Sequence, residues 1–236
     1  MEALRNGFSV LELDADDSKV TVNSVAPAAT GSTSASGRCE KQNQQNIVPP
    51  SNEYKLPLVW IDLEMTGLNV EVDRILEIAC IITDGNLTKT LEGPDLVIRQ
   101  TKECLDKMGE WCQSHHAASG LTKKVLQSTI SEREAEKQVI EFVKTNVGSY
   151  TPHLAGNSIY VDLLFLKKYM PELAALFSHV LVDVSSVKAL CVRWYPKDQR
   201  KAPTKENKHR ALDDIRESIE ELRYYKANIF KPRTKK

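Results

Sequence analysis

The sequence predicts an α/β fold in which a mixed central sheet is flanked by helices. Three strand candidates follow one another between positions 58 and 100, and helix and strand candidates alternate after position 131. Of the 236 residues, 41% are hydrophobic and 27% are charged, which is ordinary for a globular protein. This order of elements is typical of an antiparallel meander that continues into strands covered by helices.

Three runs of β-forming residues supply the predicted meander. They are Leu58–Glu64, Ile75–Thr83 and Asp95–Gln100. Turn-forming residues separate the runs, at Asp84-Gly85-Asn86 and at Glu92-Gly93-Pro94. Three strands in succession favour antiparallel pairing between neighbours.

Helices and strands alternate in the second half of the chain. Ser131 and Glu134 fit a capping box that opens a helix. The remaining predicted elements are strands at His153–Gly156 and Val180–Val184, helices at Val161–Met170, Ser185–Tyr195 and about Arg210–Tyr225, and a polar loop at Lys197–Lys208.

Residues 1–53 differ in composition from the rest of the chain. No aromatic residue occurs from Ser9 to Glu53, and positions 27–37 form a run of small residues. Such a segment buries too little apolar surface to offset its ordering entropy. The sequence therefore predicts a disordered leader at 1–53, one folded domain at 54–230 and a basic tail at 231–236. Acidic residues at 12, 14, 16 and 17 favour an unstructured tail over an import signal.

Charge, hydropathy and cysteine content exclude several classes of protein. Basic and acidic residues both number 32, a balance that disfavours coating of long nucleic acid and permits a short nucleic-acid substrate. Every long apolar run is interrupted by charge, so no membrane association through a span is expected. The five cysteines include no C-x-x-C pair, which favours a reducing compartment over a disulfide scaffold or a structural zinc site.

Two carboxylates interrupt the first predicted strand. Asp62 and Glu64 lie two positions apart, so their side chains share one face of the strand. Like charges on one buried face repel each other, and a divalent cation removes that conflict. The alternative is an exposed strand face with two solvated acids, but the apolar run at 58–61 favours a central strand.

Further acids and a histidine stand at the starts of predicted helices. Asp162 lies in the first turn of an apolar helix, where the helix dipole alone favours an acid. His209 precedes the last helix and Asp213 and Asp214 occupy its first turns, which also fits simple capping. The two aspartates flank the apolar stripe of that helix on opposite sides, so periodicity does not choose between them. Together, four carboxylates can hold two divalent cations, and a histidine can accept a proton from water.

These motifs, taken together, resemble the oligoribonuclease family, a branch of the DEDDh 3′-to-5′ exonucleases. The resemblance covers about residues 56–230, and it rests on motifs that occur in the family's order and spacing: Trp60–Leu68, Gly156–Ile159 with Asp162, Lys168–Leu173, Asp183–Ser185 and His209–Ser218.

The resemblance implies a ribonuclease H-like fold and a two-metal-ion mechanism. His209 would be the general base. The family's ligand is the second of the paired acids, which favours Asp214 over Asp213. Two Mg²⁺ or Mn²⁺ ions would be held by four carboxylates: Asp62, Glu64, Asp162 and Asp214.

The resemblance also implies a homodimer that binds short single-stranded oligoribonucleotides. Judged alone, Trp111 fits better as a core aromatic on a helix that starts at position 102. The positions that match substrate contacts are Leu68 as a wedge against the terminal base, Trp111 and His116 lining the site, and Ser158 and Ser185 near phosphates.

One segment departs from the family pattern. Before Asp183 the family usually carries His-Tyr-Arg, whose Tyr and Arg reach the substrate of the neighbouring subunit. This chain has Ser178-His179-Val180 instead. His179 retains a ring that can stack. Val180 carries no charge to meet a 5′-phosphate, and the alternative sources of that charge are Arg193 and Lys188. The departure argues against strict selection of 5′-phosphorylated dinucleotides.

The sequence therefore predicts a 3′-to-5′ exoribonuclease that degrades very short oligoribonucleotides to nucleoside 5′-monophosphates. One alternative is an exonuclease of the same family that trims longer RNA or DNA ends. A second is a non-catalytic binding protein that retains the fold, against which the complete set of acids argues. The resemblance implies an intracellular protein of the mitochondrion or cytosol, with the nucleus as a third compartment.

Overall fold

The computed structural model describes residues 54–204 and 210–230, which contain one five-stranded sheet and its covering helices. The predicted leader at 1–53 and tail at 231–236 lie outside these residues. The strands are β1 (Leu58–Met65), β2 (Ile75–Thr83), β3 (Thr90–Val97), β4 (His153–Gly156) and β5 (Leu181–Asp183). The helices are α1 (Lys102–Asp106), α2 (Glu110–Ala118), α3 (Leu121–Gln127), α4 (Glu132–Val147), α5 (Tyr160–Tyr169), α6 (Pro171–Ala174), α7 (Val184–Trp194), α8 (Pro196–Gln199) and α9 (Ala211–Asn228).

The sheet is mixed, and β1 lies at its centre. The strand order is β3-β2-β1-β4-β5. The first three strands pair antiparallel, whereas β4 is parallel to β1 and β5 is parallel to β4. This topology confirms the predicted α/β class, with an antiparallel meander followed by alternating helices and strands.

Alternation along β1 divides the core into two layers. Val59, Ile61 and Leu63 pack with the buried side chains of α4 and α5. Trp60 faces the other way and packs with Ile215 and other buried residues of α9. Because positions i and i+2 share a face, Asp62 and Glu64 continue the Trp60 face towards α9.

The third strand differs from its prediction. We expected a strand at Asp95–Gln100 after a turn at Glu92-Gly93-Pro94, but β3 spans Thr90–Val97 and contains those residues. Its pairing with β2 shifts register between Ala79 and Ile81, which forms a bulge. A proline is tolerated there because it lies near a bulge on an edge strand.

The predictions of one helix and one loop also need correction. The helix expected from position 102 is divided into α1 and α2, and Gly109 is the N-cap of α2. The loop expected at 197–208 begins with α8, and positions 205–209 lie outside the described residues. The capping box that opens α4 is present, since the Ser131 side chain accepts a hydrogen bond from the Glu134 N–H at 3.1 Å.

The described residues also bear on two inferences from composition. In the ranges 54–204 and 210–230, no helix is long and apolar enough to cross a membrane. The cysteines of this part of the chain, Cys80, Cys104, Cys112 and Cys191, are all free thiols. The structure thus pairs none of these four in a disulfide.

Candidate active site

Three carboxylates converge where β1 meets the start of α9. Asp62 and Glu64 come from β1, and Asp214 comes from the first turn of α9. An oxygen from each of the three lies within 4.8 Å of the others. The Glu64 side chain is only 13% exposed, which disagrees with the alternative of two freely solvated acids.

The structure separates the paired aspartates that periodicity left equivalent. Asp214 joins the carboxylate cluster. Asp213 is directed to Arg216 instead, and its Oδ1 lies 2.8 Å from a guanidinium nitrogen. Arg216 also binds Glu92 on β3, which holds it on the outer side of α9. The geometry therefore groups Asp214, and not its neighbour, with Asp62 and Glu64.

Asp162 approaches the same strand from α5. It is buried, and its Oδ1 accepts a hydrogen bond from the Leu63 N–H at 3.0 Å, between the two acids of β1. The chain reaches this position because Gly156 has no side chain: a Cβ there would lie 2.9 Å from the Ile61 carbonyl oxygen. Burial raises the pKa of Asp162 to about 7, although two backbone N–H groups act in the opposite direction.

The Glu64 carboxylate is under electrostatic strain within the cluster. Burial raises the pKa of Glu64 to about 8, and the negative charges of Asp214, Glu77 and Asp162 add to this shift. The positive charge of Arg210 opposes it. The carboxylates are therefore held closer together than their mutual repulsion favours, which is the electrostatic condition for binding a cation.

His116 does not supply the balancing charge. Its Nε2 donates to the Met65 carbonyl at 2.9 Å, which leaves Nδ1 facing Glu64 Oε2 at 3.9 Å. This Nδ1 is buried and has no hydrogen-bond partner within the described ranges. Burial lowers the pKa of His116, so the ring stays neutral near pH 7.

The donor set fits a hard divalent cation. All three converging ligand atoms are carboxylate oxygens, which Mg²⁺ and Mn²⁺ prefer over softer metals. Burial and the negative charges of Asp214, Glu77 and Asp162 raise the pKa of Glu64, so a bound cation would relieve this repulsion. These acidic residues could therefore bind metal.

Two charged residues that sequence reasoning missed lie directly behind the cluster. Glu77 is fully buried on β2, opposite Glu64 in the register of the sheet. Its carboxylate binds the guanidinium of Arg210, the residue that precedes α9. A glutamate in the otherwise apolar run 75–82 was the available signal, because an unpaired buried acid is costly.

The candidate base-contacting residues are exposed to solvent. Leu68 is 65% exposed in the loop after β1, and Trp111 is 59% exposed on α2. The core-aromatic alternative for Trp111 is therefore wrong. One face of its ring stacks on His115, with centroids 3.9 Å apart and an angle of 22° between the rings. An exposed ring held in this way can offer a stacking surface.

Two serines share a hydrogen-bond network centred on Asp183. Its Oδ1 accepts the backbone N–H of Ser158 at 2.8 Å and the hydroxyl of Ser185 at 2.7 Å. The Ser158 hydroxyl donates in turn to Ser185 Oγ at 3.2 Å. Ser158 has a φ of 54°, a left-handed conformation that serine rarely adopts. The structure therefore fixes both candidate phosphate contacts relative to each other.

The structure does not bring every predicted site residue together. His179 is exposed and precedes β5, whereas Asp183 ends that strand, so the two lie at opposite ends of it. His209 lies outside the described residues, although Arg210 beside it in sequence is described. The described cluster thus contains the carboxylates without the predicted base.

Comparison with known proteins identifies the family. The model of a family described as exonuclease matches residues 59–222. The chain is 66% identical over 233 residues to an oligoribonuclease of Arabidopsis thaliana, which covers 99% of this chain and 100% of that protein. The chain belongs to the oligoribonuclease branch of the exonucleases. It is also 51% identical over 174 residues to the oligoribonuclease of Marinobacter nauticus, covering 74% of this chain and 96% of that one.

More distant relatives agree on the family and the fold. A mitochondrial oligoribonuclease of Mus musculus is 50% identical over 177 residues, which is 75% of each chain. Escherichia coli exonuclease I, solved in complex with an oligonucleotide, superposes with a TM-score of 0.57 at 14% identity. That match covers 74% of this chain and 41% of exonuclease I, and it confirms the ribonuclease H-like fold expected for the oligoribonuclease family.

Proposed function

We propose that this chain is a 3′-to-5′ exoribonuclease that degrades very short oligoribonucleotides to nucleoside 5′-monophosphates. The observation that carries the proposal is the convergence of Asp62, Glu64 and Asp214 in a chain 66% identical to an oligoribonuclease. Phosphodiester hydrolysis requires charge stabilisation on the attacking and leaving oxygens. A pair of divalent cations supplies that stabilisation when bound.

Each acidic side chain has a defined part in this proposal. Asp62, Glu64 and Asp214 would hold the cations, Mg²⁺ or Mn²⁺, and Asp162 would complete the ligand set from α5. The Leu63 N–H already fixes the orientation of the Asp162 carboxylate. Asp162 is buried and the other three are half-buried, and this partial removal from water strengthens their attraction for a cation.

His209 is our candidate for the general base. It immediately precedes Arg210, which the Glu77 carboxylate holds at the start of α9. A histidine of ordinary pKa is neutral near pH 7 and can take a proton from an attacking water. His209 would therefore act from a position two residues before α9, the helix that presents Asp214.

The remaining site residues would bind the ends of a short strand. Leu68 would press against the terminal base, and the exposed Trp111 ring would stack on a base. His116 would line the same substrate site as Trp111, and Ser158 and Ser185 would contact phosphates. Base stacking tolerates any sequence, which suits general degradation of short RNA.

We propose relaxed selection at the 5′ end of the substrate. His179 would stack on the substrate of a second subunit, whereas Val180 offers no charge to a 5′-phosphate. An arginine paired with phosphate forms strong charge-assisted hydrogen bonds, and this chain lacks one at that position. Similar kcat/KM values for dinucleotides with and without a 5′-phosphate would support the proposal, and a large preference for the phosphate would contradict it.

The test of the proposed function is product release as a function of substrate length. A single-stranded RNA dinucleotide and a strand ten times as long are hydrolysed under the same conditions with Mg²⁺ or Mn²⁺. We expect the dinucleotide to be preferred and mononucleotides to be the product. The Asp62→Ala variant should release none, as an internal control. Preference for the long strand would favour the alternative of end trimming, and no hydrolysis by the native chain would refute the nuclease.

We propose that two copies of the chain form a homodimer through the exposed apolar face of α7. Leu190 and Trp194 lie one helical turn apart on the same face of α7 and are both exposed. Contiguous apolar surface of this kind marks protein contacts. Light scattering on the native chain and on Trp194→Asp measures the mass; a monomeric native chain would contradict the dimer.

We propose the mitochondrion as the compartment. The relatives from Mus musculus and Homo sapiens are named mitochondrial oligoribonucleases and are 50% and 51% identical to this chain. No relative described above supports the nucleus. Fusing residues 1–53 to a fluorescent reporter tests import: a mitochondrial signal supports the proposal, and a diffuse cytosolic signal favours the cytosol.

A further inference from the structure

An ion pair between a buried glutamate and a partly exposed arginine joins the centre of the sheet to the start of α9. Arg210 Nε lies 3.1 Å from both carboxylate oxygens of Glu77, and Nη2 lies 2.5 Å from Oε1. We propose that Glu77 is a positioning residue that holds Asp214 against Asp62 and Glu64 through Arg210 and the first turn of α9. The inference rests on the proposed function, because it concerns the same cation site.

A short series of contacts links Glu77 to Asp214. Besides Arg210, the Glu77 carboxylate accepts the backbone N–H of Ala211, the first residue of α9, at 3.4 Å. Arg210 is the N-cap of α9, but its side chain makes no capping hydrogen bond. The Glu77 carboxylate, which lies outside the helix, accepts the free Ala211 N–H instead. The Arg210 carbonyl then accepts the Asp214 N–H at 3.0 Å. One carboxylate thus fixes the turn that carries the ligand.

The location of Glu77 argues for placement of the ligand rather than for stability alone. A buried ion pair loses hydration, and apolar residues of similar volume often stabilise a protein as well or better. Glu77 also sets a negative charge opposite Glu64, inside a cluster that already contains excess negative charge. A bidentate arginine–carboxylate pair instead fixes both the distance and the direction between two elements.

A second pair between the sheet and α9 provides a matched control. Glu92 on β3 binds Arg216 with two hydrogen bonds of 2.8 Å. Both side chains are about half exposed, at 49% and 46%, and Arg216 also binds Asp213 instead of Asp214. Glu92→Gln therefore removes a bidentate pair between the same two structural units without touching the cation site.

The experiment measures Mn²⁺ binding directly. Electron paramagnetic resonance counts free Mn²⁺ in titrations of the full chain and of Glu77→Gln, Arg210→Gln and Glu92→Gln. We expect Glu77→Gln and Arg210→Gln each to weaken Mn²⁺ binding by about tenfold or more, as substitutions of residues that orient metal ligands do. In dinucleotide hydrolysis kcat should fall more than KM changes, and Glu92→Gln should match the native chain in both measurements.

The two single variants separate positioning from charge. Removing the positive charge of Arg210 leaves the site more negative, so an effect through charge alone would make Arg210→Gln bind Mn²⁺ more tightly. Tighter binding in that variant would overturn the inference, as would unchanged Mn²⁺ affinity with a lowered melting temperature in Glu77→Gln. Arg210→Lys keeps the charge but not the bidentate geometry and should weaken binding as well.

A failure of this inference is distinct from a failure of the proposed function. A native chain that releases mononucleotides, together with variants of unchanged Mn²⁺ affinity, would refute only the role of Glu77. A native chain that hydrolyses no RNA would refute the proposed function itself. If Glu77→Gln does not fold, the two Arg210 variants still decide the question, because that side chain is partly exposed.

Discussion

Individual side chains near the cluster are held in states that they would not adopt in water. The pKa of Glu64 is raised to about 8 and that of Asp162 to about 7, both mainly by burial. Ser158 adopts a left-handed backbone conformation, and Asp183 accepts its N–H. Strained groups of this kind collect at functional sites because the surrounding structure holds them in place.

The pKa of Glu64 predicts how the stability of the metal-free protein depends on pH. Its ordinary value is 4.5, so the folded chain binds this proton more tightly than the unfolded chain does. The resulting stabilisation is complete below about pH 4.5 and is lost as pH rises through about 8. Asp162, whose pKa is raised to about 7, acts in the same direction.

Thermal unfolding with and without Mn²⁺ tests this pH dependence. Cations compete with protons for these carboxylates, so Mn²⁺ should raise the melting temperature more at pH 8 than at pH 5. Glu64→Gln removes the titrating group, and its metal-free melting temperature should vary less across this range. An equal effect of Mn²⁺ at both pH values would contradict the electrostatic description of the cluster.

Part of the site was predictable residue by residue, and part was not. Alternation along a strand placed Asp62 and Glu64 on one face, and the apolar flank indicated a central strand. Periodicity alone did not separate Asp213 from Asp214, because the choice depends on Arg216 and Glu92 packing on the outer side of α9. Glu77 was missed because its partner is 133 positions away in sequence.

At the scale of elements, pairing within the sheet overrides a local sequence preference for a turn. Glu92-Gly93-Pro94 is typical of a turn, yet it lies within β3 because a bulge absorbs it at the sheet edge. The strands β1 and β2 were predictable because both are rich in apolar β-forming residues and contain no glycine or proline. The break between α1 and α2 was missed, since a single glycine does not by itself end a helical pattern.

The packing of β3 against α4 depends on the absence of a side chain at Gly93. A Cβ at this position would lie 2.3 Å from the Phe142 ring on α4, so the ring or the strand must move. We expect Gly93→Ala to lower the free energy of unfolding by about 1–3 kcal/mol, as overpacking does. Chemical denaturation measures the change.

Gly109 offers the matched control for this substitution. A Cβ added there meets no atom within 4 Å, so Gly109→Ala introduces no clash. Its cost should be at most that of a changed helix N-cap, about 0.5–1 kcal/mol. Equal destabilisation by Gly93→Ala and Gly109→Ala would show that a clash with Phe142 is not the cause of the loss in Gly93→Ala.

At the scale of the whole molecule, the site exists only because distant segments meet at the central strand. Asp62 and Glu64 lie on β1, Asp162 reaches that strand from α5, and Asp214 reaches it from α9. The two helices belong to different core layers, so the sheet must be complete before the carboxylates converge. Unfolding of either layer should therefore abolish cation binding.

The most direct test of this convergence compares adjacent aspartates. Mononucleotide release from an RNA dinucleotide is measured at saturating Mn²⁺ for Asp214→Asn and Asp213→Asn. We expect Asp214→Asn to lower kcat by about a hundredfold or more, because a cation ligand contributes several kcal/mol to the transition state. Asp213→Asn should stay within about threefold of the native chain, since it loses only an exposed ion pair. Comparable activity in the two variants, or a larger loss in Asp213→Asn, would contradict the assignment of the site.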